Sequence, residues 1–268
     1  NQYQKWKAFC LNVKGFFYID NRILYSIMKK AFLFILFFLS SGCDSKPNPP
    51  ILLRQLNQLN IEEAGELLIN RNDGLYKIER TFESDSSFGI IFVHGYGSFG
   101  KEWVKPVRYL SCQSVQTYWY RWDWNQCPDS AAEQLLEKLL AFTEEMNYDS
   151  LWILGHSYGG LIVALMSEEW RGNTKLTIHS IAAPLKGMPQ SKLFCNFEKQ
   201  KYNPNQNTKL IQWKTVHMND NAFNRYENNP QIVEIIDGDI RQLLGEWNGT
   251  RLGHNRSISF VSSQLCKD

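Results

Sequence analysis

From residue 88 onward, short continuous apolar runs alternate with longer stretches whose apolar positions recur every three to four residues. Short apolar runs bounded by turn residues predict strands buried on both faces, and the longer periodic stretches predict amphipathic helices. On this reading residues 89–93, 115–122, 151–154, 177–181, 213–218 and 232–236 are strands. Residues 130–146 are a helix with Ala132, Leu135, Leu136, Leu139, Phe142 and Met146 on one face, and Ser130 and Glu133 are spaced as a capping box. Residues 160–169 form a second helix. The alternation predicts a mostly parallel sheet with helices on both faces. Upstream, residues 51–69 read as helical and 75–82 as a first strand. Residues 186–207 are polar, with two prolines and no period, and form either a loose excursion or a small lid. There is no internal repeat and no second domain with its own core.

The first 42 residues read as processing. Met28 is followed by Lys29 and Lys30, an apolar run over residues 31–39, and Ser40-Ser41-Gly42 before Cys43. A basic start, a short apolar core and small residues before a cleavage point make a secretory signal peptide. Cys43 directly after Gly42 resembles the lipobox of bacterial lipoproteins, in which the thiol takes a diacylglycerol and becomes the mature N-terminus. Ser40 departs from that motif, which usually has Leu there; Leu39 lies one step back. An ordinary signal peptide followed by a Cys is the alternative. Residues 1–27 show no period and precede Met28, so they are expected to be upstream sequence outside the native protein, or else a long basic start. The resemblance implies an exported protein of the bacterial envelope, held to a membrane through lipid on Cys43. Residues 43–50 then form a polar, Pro-rich tether, and residues 51–268 the domain.

Composition narrows the classes. The 268 residues carry 29 Lys+Arg against 27 Asp+Glu, a net charge of +2, without the basic excess that binding to a phosphate backbone uses. Hydrophobic residues at 43% and charged residues at 21% describe a folded chain. No apolar run reaches the roughly 18 residues of a spanning helix. There is no CxxC or HExxH, and the five His are scattered, so no metal and no cofactor is expected. With Cys10 in the leader and Cys43 lipidated, Cys112, Cys127, Cys195 and Cys266 remain. They allow three pairings, one of which closes a short loop between Cys112 and Cys127 and pins Cys195 to Cys266. Four buried thiols are the other option.

The chemistry centres on Gly155-His156-Ser157-Tyr158-Gly159, which matches G-x-S-x-G between a predicted strand and a predicted helix. With His94-Gly95-Tyr96-Gly97, Ala183-Pro184-Leu185-Lys186-Gly187 and Gly253-His254, it makes residues 75–265 resemble the α/β-hydrolase family, of the lipase and esterase type. The resemblance implies an α/β-hydrolase fold without a large cap, and a Ser nucleophile followed in sequence by an acid and then a His base. Downstream of Ser157 only His179, His217 and His254 are available. His179 and His217 fall within predicted strands and read as core. His254 lies in a loop just before the last helix and is the expected base. Asp220, directly after the strand 213–218, is the expected acid; Asp237 and Asp239 are turn residues or a displaced acid. The backbone N–H groups of Tyr96 and Tyr158 are the expected oxyanion donors, with His94 and His156 buttressing the loops. The run Tyr118-Trp119-Tyr120-Arg121-Trp122-Asp123-Trp124 alternates as a strand does, which puts half of it in the core.

A hydroxyl activated by His and oriented by an acid serves acyl transfer. The expectation is a serine hydrolase of carboxylic esters, with lipids as the substrates that the resemblance of the Ala-Pro-Leu-Lys-Gly segment to that of lipases and lipid deacylases implies. An acyltransferase or thioesterase would use the same triad. A non-catalytic surface binding protein on a hydrolase scaffold is the alternative from another class; such proteins usually lose the Ser, the His or the elbow glycines, all present here.

Overall fold

The computed structural model describes residues 48–80, 87–111 and 115–266. The expected leader over residues 1–42, Cys43 and Cys112 lie outside these.

Eight strands form the central sheet: β1 (Ile51–Leu52), β2 (Gly74–Glu79), β3 (Phe88–Val93), β4 (Gln116–Arg121), β5 (Ser150–His156), β6 (Lys175–Ile181), and, after β7 (Lys201–Tyr202), β8 (Thr208–Lys214) and, after β9 (Glu234–Ile235), β10 (Asp239–Gln242). Their order is β1-β2-β4-β3-β5-β6-β8-β10. All neighbours are parallel except β2 and β4. Alternate side chains feed two cores. Ile91, Val93, Tyr118, Tyr120, Ile153, Ile178 and Leu210 meet the helices at 128–146 and 158–169. Ile90, Phe92, Trp119, Leu154, Ile181, Ile211 and Trp213 meet the helices at 53–58, 61–69, 101–111 and 253–265. Residues 48–268 form one unit that contains both clusters. Four of the seven residues of the run 118–124, Tyr118, Trp119, Tyr120 and Trp122, are buried; consecutive ones face opposite cores because the sheet is covered on both sides.

Several boundaries move for identifiable reasons. The segment 51–69 breaks into β1 and two helices, α1 (Leu53–Gln58) and α2 (Ile61–Ile69). Asn60 stops the first and caps the second, accepting from the Glu63 N–H at 3.0 Å. Helix α3 (Lys101–Ser111) contains Pro106, which disguises it, since Pro disfavours helix interiors. Helix α4 (Pro128–Met146) begins on Pro128 behind Cys127 with no side-chain cap, so Ser130 and Glu133 sit inside it and form no capping box. Helix α5 (Tyr158–Glu169) starts two residues earlier than the periodicity gave.

The strand expected at 213–218 lies at 208–214, because the chain turns at Thr215 into a 3-10 turn, His217–Asn219. The strand expected at 232–236 shrinks to β9, which pairs with β7 in a separate two-stranded sheet. The true edge strand, β10, is polar and exposed, as edges can be. Residues 186–207 carry helix α6 (Pro189–Cys195), whose residues are all at least partly exposed. A Cys127–Cys195 disulfide ties it to the start of α4, which excludes the Cys112–Cys127 loop. Helix α7 (Gly253–Leu265) ends at Cys266, a free thiol.

A sequence separation of 68 between the bonded cysteines corresponds to about 4 kcal/mol on the chain-entropy model. Cys195→Ser should therefore lower Tm clearly in thermal melts without reductant. An unchanged Tm would show that the bond does not constrain the chain.

Candidate active site

Ser157 joins β5 to α5 with φ 54° and ψ −121°, a region a non-glycine residue occupies only under constraint, at a cost of about 1–3 kcal/mol. The constraint is local packing. The Ser157 N–H donates to the Ile181 carbonyl at 2.9 Å, and the Ser157 carbonyl accepts from Leu161 at 3.1 Å. A Cβ on Gly159 would lie 2.3 Å from the His94 carbonyl oxygen, and one on Gly155 would lie 2.6 Å from that of Gly159. Only glycines allow the end of β3 and the first turn of α5 to meet.

That contact brings the loop after β3 against Ser157. A Cβ on Gly95 would sit 2.9 Å from Ser157 Cβ and 3.6 Å from Ser157 Oγ. His94 is buried between Trp119 and Trp122, with ring centroids at 5.5 and 5.7 Å. Its Nδ1 is 3.0 Å from the Gly95 carbonyl, and its Nε2 accepts from the Trp122 N–H at 3.3 Å. These partners require the proton on Nδ1. A trans peptide sets its C=O and N–H on opposite sides, so holding the Gly95 carbonyl at the His94 ring turns the Tyr96 N–H away from it. The N–H of Tyr158 is the first of α5 and has no partner within the helix. The Tyr158 ring packs on Trp122, and its hydroxyl donates to the Gln126 carbonyl at 2.6 Å. Burial raises the Tyr158 pKa well above that of an ordinary phenol.

Asp220, fully buried, meets His254: Nδ1 donates to Asp220 Oδ2 at 3.0 Å. The Thr215 hydroxyl donates to the same oxygen, and the Ala222 N–H to Oδ1 at 2.9 Å. Thr215 is fixed by Gln231, whose Oε1 accepts its N–H at 2.9 Å. A buried carboxylate needs such partners. The His254 ring lies between His156, at a centroid distance of 4.6 Å, and Phe223, at 5.0 Å. His156 Nε2 is 3.2 Å from the His254 carbonyl. Since Nδ1 carries the proton given to Asp220, His254 Nε2 is left as an acceptor. Ser157 Oγ makes no hydrogen bond among the described residues, and its immediate neighbour His156 brings it to the same end of the sheet as His254.

No family model matches the sequence, and no curated protein matches it. Solved structures do. An esterase from Butyrivibrio proteoclasticus, solved with ferulic acid bound, is 12% identical with TM-score 0.50, over 72% of this chain and 92% of that one. The chain has the α/β-hydrolase fold. A Pyrococcus furiosus esterase (12% identity, TM-score 0.47, 83% of this chain and 96% of that one) and a lidless serine hydrolase from Xanthomonas campestris (13%, 0.46, 72% and 85%) are also similar.

In this α/β-hydrolase fold the residues singled out in the sequence gather past the carboxyl ends of the strands: Tyr96 after β3, Ser157 and Tyr158 after β5, Asp220 after β8. His254 is not in a loop before the last helix; it is the second residue of α7. His217 lies in the 3-10 turn rather than a strand, with Nε2 at 2.9 Å from the Phe223 carbonyl. His179 is buried in β6 and accepts from Trp213 Nε1 at 3.1 Å. Asp237 is an exposed turn residue at φ 51°, and Asp239 pairs with Lys209 at 3.1 Å; the bond to His254 belongs to Asp220. Thr215, Gln231 and Phe223 were not visible in the sequence, because a Thr, a Gln and a Phe in a polar loop carry no motif.

Burial lowers the pKa of His94 and His179 to about 3, and that of His156 well below 6.5. These rings stay neutral when folded but titrate near 6.5 once unfolded, so the stability they confer is intact above that pH. It is lost as pH falls from about 6.5 towards 3. At pH 5 unfolding should take up about three protons at these rings, measurable as a falling Tm between pH 7 and 4. A Tm that stays flat over this range would contradict the burial of the three rings.

Proposed function

We propose that the chain is a serine hydrolase that cleaves carboxylic esters through an acyl-enzyme on Ser157. The observation that carries this reading is the buried Asp220 carboxylate bonded to His254 Nδ1, at the end of the sheet where Ser157 is held in a strained turn. Ser157 Oγ attacks the acyl carbon as His254 Nε2 takes its proton. Asp220 holds the ring and stabilises the imidazolium. The negative charge on the former carbonyl oxygen meets the N–H groups of Tyr96 and Tyr158 and the positive end of α5. One such donor is worth about 3 kcal/mol in the transition state. His254 then returns the proton to the leaving alcohol, and water cleaves the acyl-enzyme by the same route in reverse. His94 is a positioning residue: by fixing the Gly95 carbonyl it aims the Tyr96 N–H.

The substrate class we infer is lipid esters, on the resemblance of residues 183–187 to lipases and lipid deacylases. We also infer export and attachment through lipid on Cys43, from the pattern at residues 28–43. Among the described residues no helix is long and apolar enough to cross a membrane.

With p-nitrophenyl esters of increasing acyl length, the parent should show turnover that Ser157→Ala abolishes and Asp220→Asn lowers by about 10⁴-fold. Thr215→Val, which removes one donor to Asp220, should lower kcat by a smaller factor with KM little changed. A fluorophosphonate should label Ser157. Folded protein that neither turns over esters nor takes the label would refute the serine hydrolase reading. Labelling without ester turnover would redirect the search to an acyltransferase or thioesterase.

A further inference from the structure

Eleven large hydrophobic residues are exposed among those described, and six of them share one end of the molecule. Tyr96 and Phe99 follow β3, Leu193 and Phe194 follow β6, Met218 follows β8 and Leu244 follows β10. All six follow the carboxyl ends of strands, the end that carries Ser157, and the Cys127–Cys195 bond holds the helix of Leu193 and Phe194 to the segment just after β4. Exposure reaches 75% at Phe99, 77% at Leu193 and 78% at Phe194. Scattered single apolar residues need no account, but a patch around one site does. Helix α6 sharpens the point. None of its residues is buried, so Leu193 and Phe194 contribute nothing to the core, yet a disulfide at Cys195 holds the helix in place.

The start of the unit supplies the second observation. Asn48 Nδ2 donates to the Leu75 carbonyl at 3.3 Å, and the Pro49 carbonyl accepts from Arg71 at 3.3 Å. Gly74, beside Leu75, pairs with Arg121, the last residue of β4. The strand β4 runs parallel to β3 and β5, so Arg121 marks the carboxyl end of the sheet. The chain thus enters the unit at the catalytic end. Cys43 is five residues upstream of Asn48, a contour of at most about 18 Å.

We propose that this apolar end docks on a phospholipid bilayer, with Phe99, Leu193, Phe194, Met218 and Leu244 entering the interface and the Ser157 site opening towards the lipid. A diacylglycerol on Cys43 would anchor the chain through its two acyl chains, but an anchor on a tether does not orient the domain. The exposed rim would set the orientation, and it lies at the end where the chain from Cys43 enters the unit. The proposal deepens the lipid-ester reading above, but vesicle binding can be measured whether or not esters are cleaved.

The test uses residues 48–268, which contain both hydrophobic clusters and lack Cys43 and the apolar run 31–39. The protein is floated with phosphatidylethanolamine and phosphatidylglycerol vesicles, and p-nitrophenyl acetate hydrolysis is followed in parallel. The parent should bind, and the double variant Leu193→Ser, Phe194→Ser should bind at least about tenfold less with acetate hydrolysis unchanged. Leu244→Ser, on a separate loop, should weaken binding independently. A parent that stays unbound, or variants that bind as well as it does, would overturn the proposal. So would a parent dimer in sedimentation that the double variant abolishes, which would make the rim a self-association face. Loss of acetate hydrolysis in the parent would count against the esterase reading alone.

Discussion

The site depends on how closely three pieces of backbone approach one another. The carbonyls of Val93 and His94 lie where a side chain on Gly159 would have to be, 2.5 and 2.3 Å from its Cβ position. This contact presses the end of β3 onto the first turn of α5 and leaves Ser157 no ordinary conformation. The strain at φ 54° persists because the hydrogen bonds on either side of Ser157 belong to the sheet and the helix. Once that contact exists, Gly95 must lie on Ser157, His156 must lie under His254, and the unpaired amide at the head of α5 must face the same space. Relaxing any of the glycines would move all three together.

The five histidines show how environment alone assigns different work to one side chain. His94, His156 and His179 are buried and neutral, held by burial far from their usual titration range. They act as flat, hydrogen-bonding spacers: His94 between two tryptophans, His179 against Trp213, His156 beneath His254. His217 closes a loop onto the Phe223 carbonyl. His254 is the one whose Nδ1 has a carboxylate partner, and its side chain retains 14% exposure.

Much of the architecture was legible because buried parallel strands are written as continuous apolar runs. The strand 88–93 was read as 89–93 and the strand 150–156 as 151–154, and the elbow announced itself through glycines that geometry requires. The reading failed where side chains compensate for weak backbone signals. Pro106 hid a helix whose apolar face is otherwise regular. The alternation after Trp213 looked like a strand, although Thr215 turns the chain so that its hydroxyl reaches Asp220. The polar edge β10 had no apolar pattern to reveal it, and the disulfide partner of Cys127 depended on a fold not yet known. Asp220 was singled out by its position after a strand, but Thr215 and Gln231, which hold its carboxylate, were not, since they act through a tertiary network rather than a motif.

The link between β8 and β10 has a further consequence. Parallel neighbours are usually joined through a helix, yet residues 215–238 contain only a 3-10 turn and the two-residue strand β9. Asp220 and Phe223 hang on that irregular span, pinned by side-chain bonds through Gln231 and Asn229. Segments with few backbone ladders open at lower free energy than the sheet they border. Ser157 and Asp220 therefore belong to regions of different ruggedness. Heating should part Asp220 from His254 while the strained turn at Ser157, embedded in the sheet, is still intact.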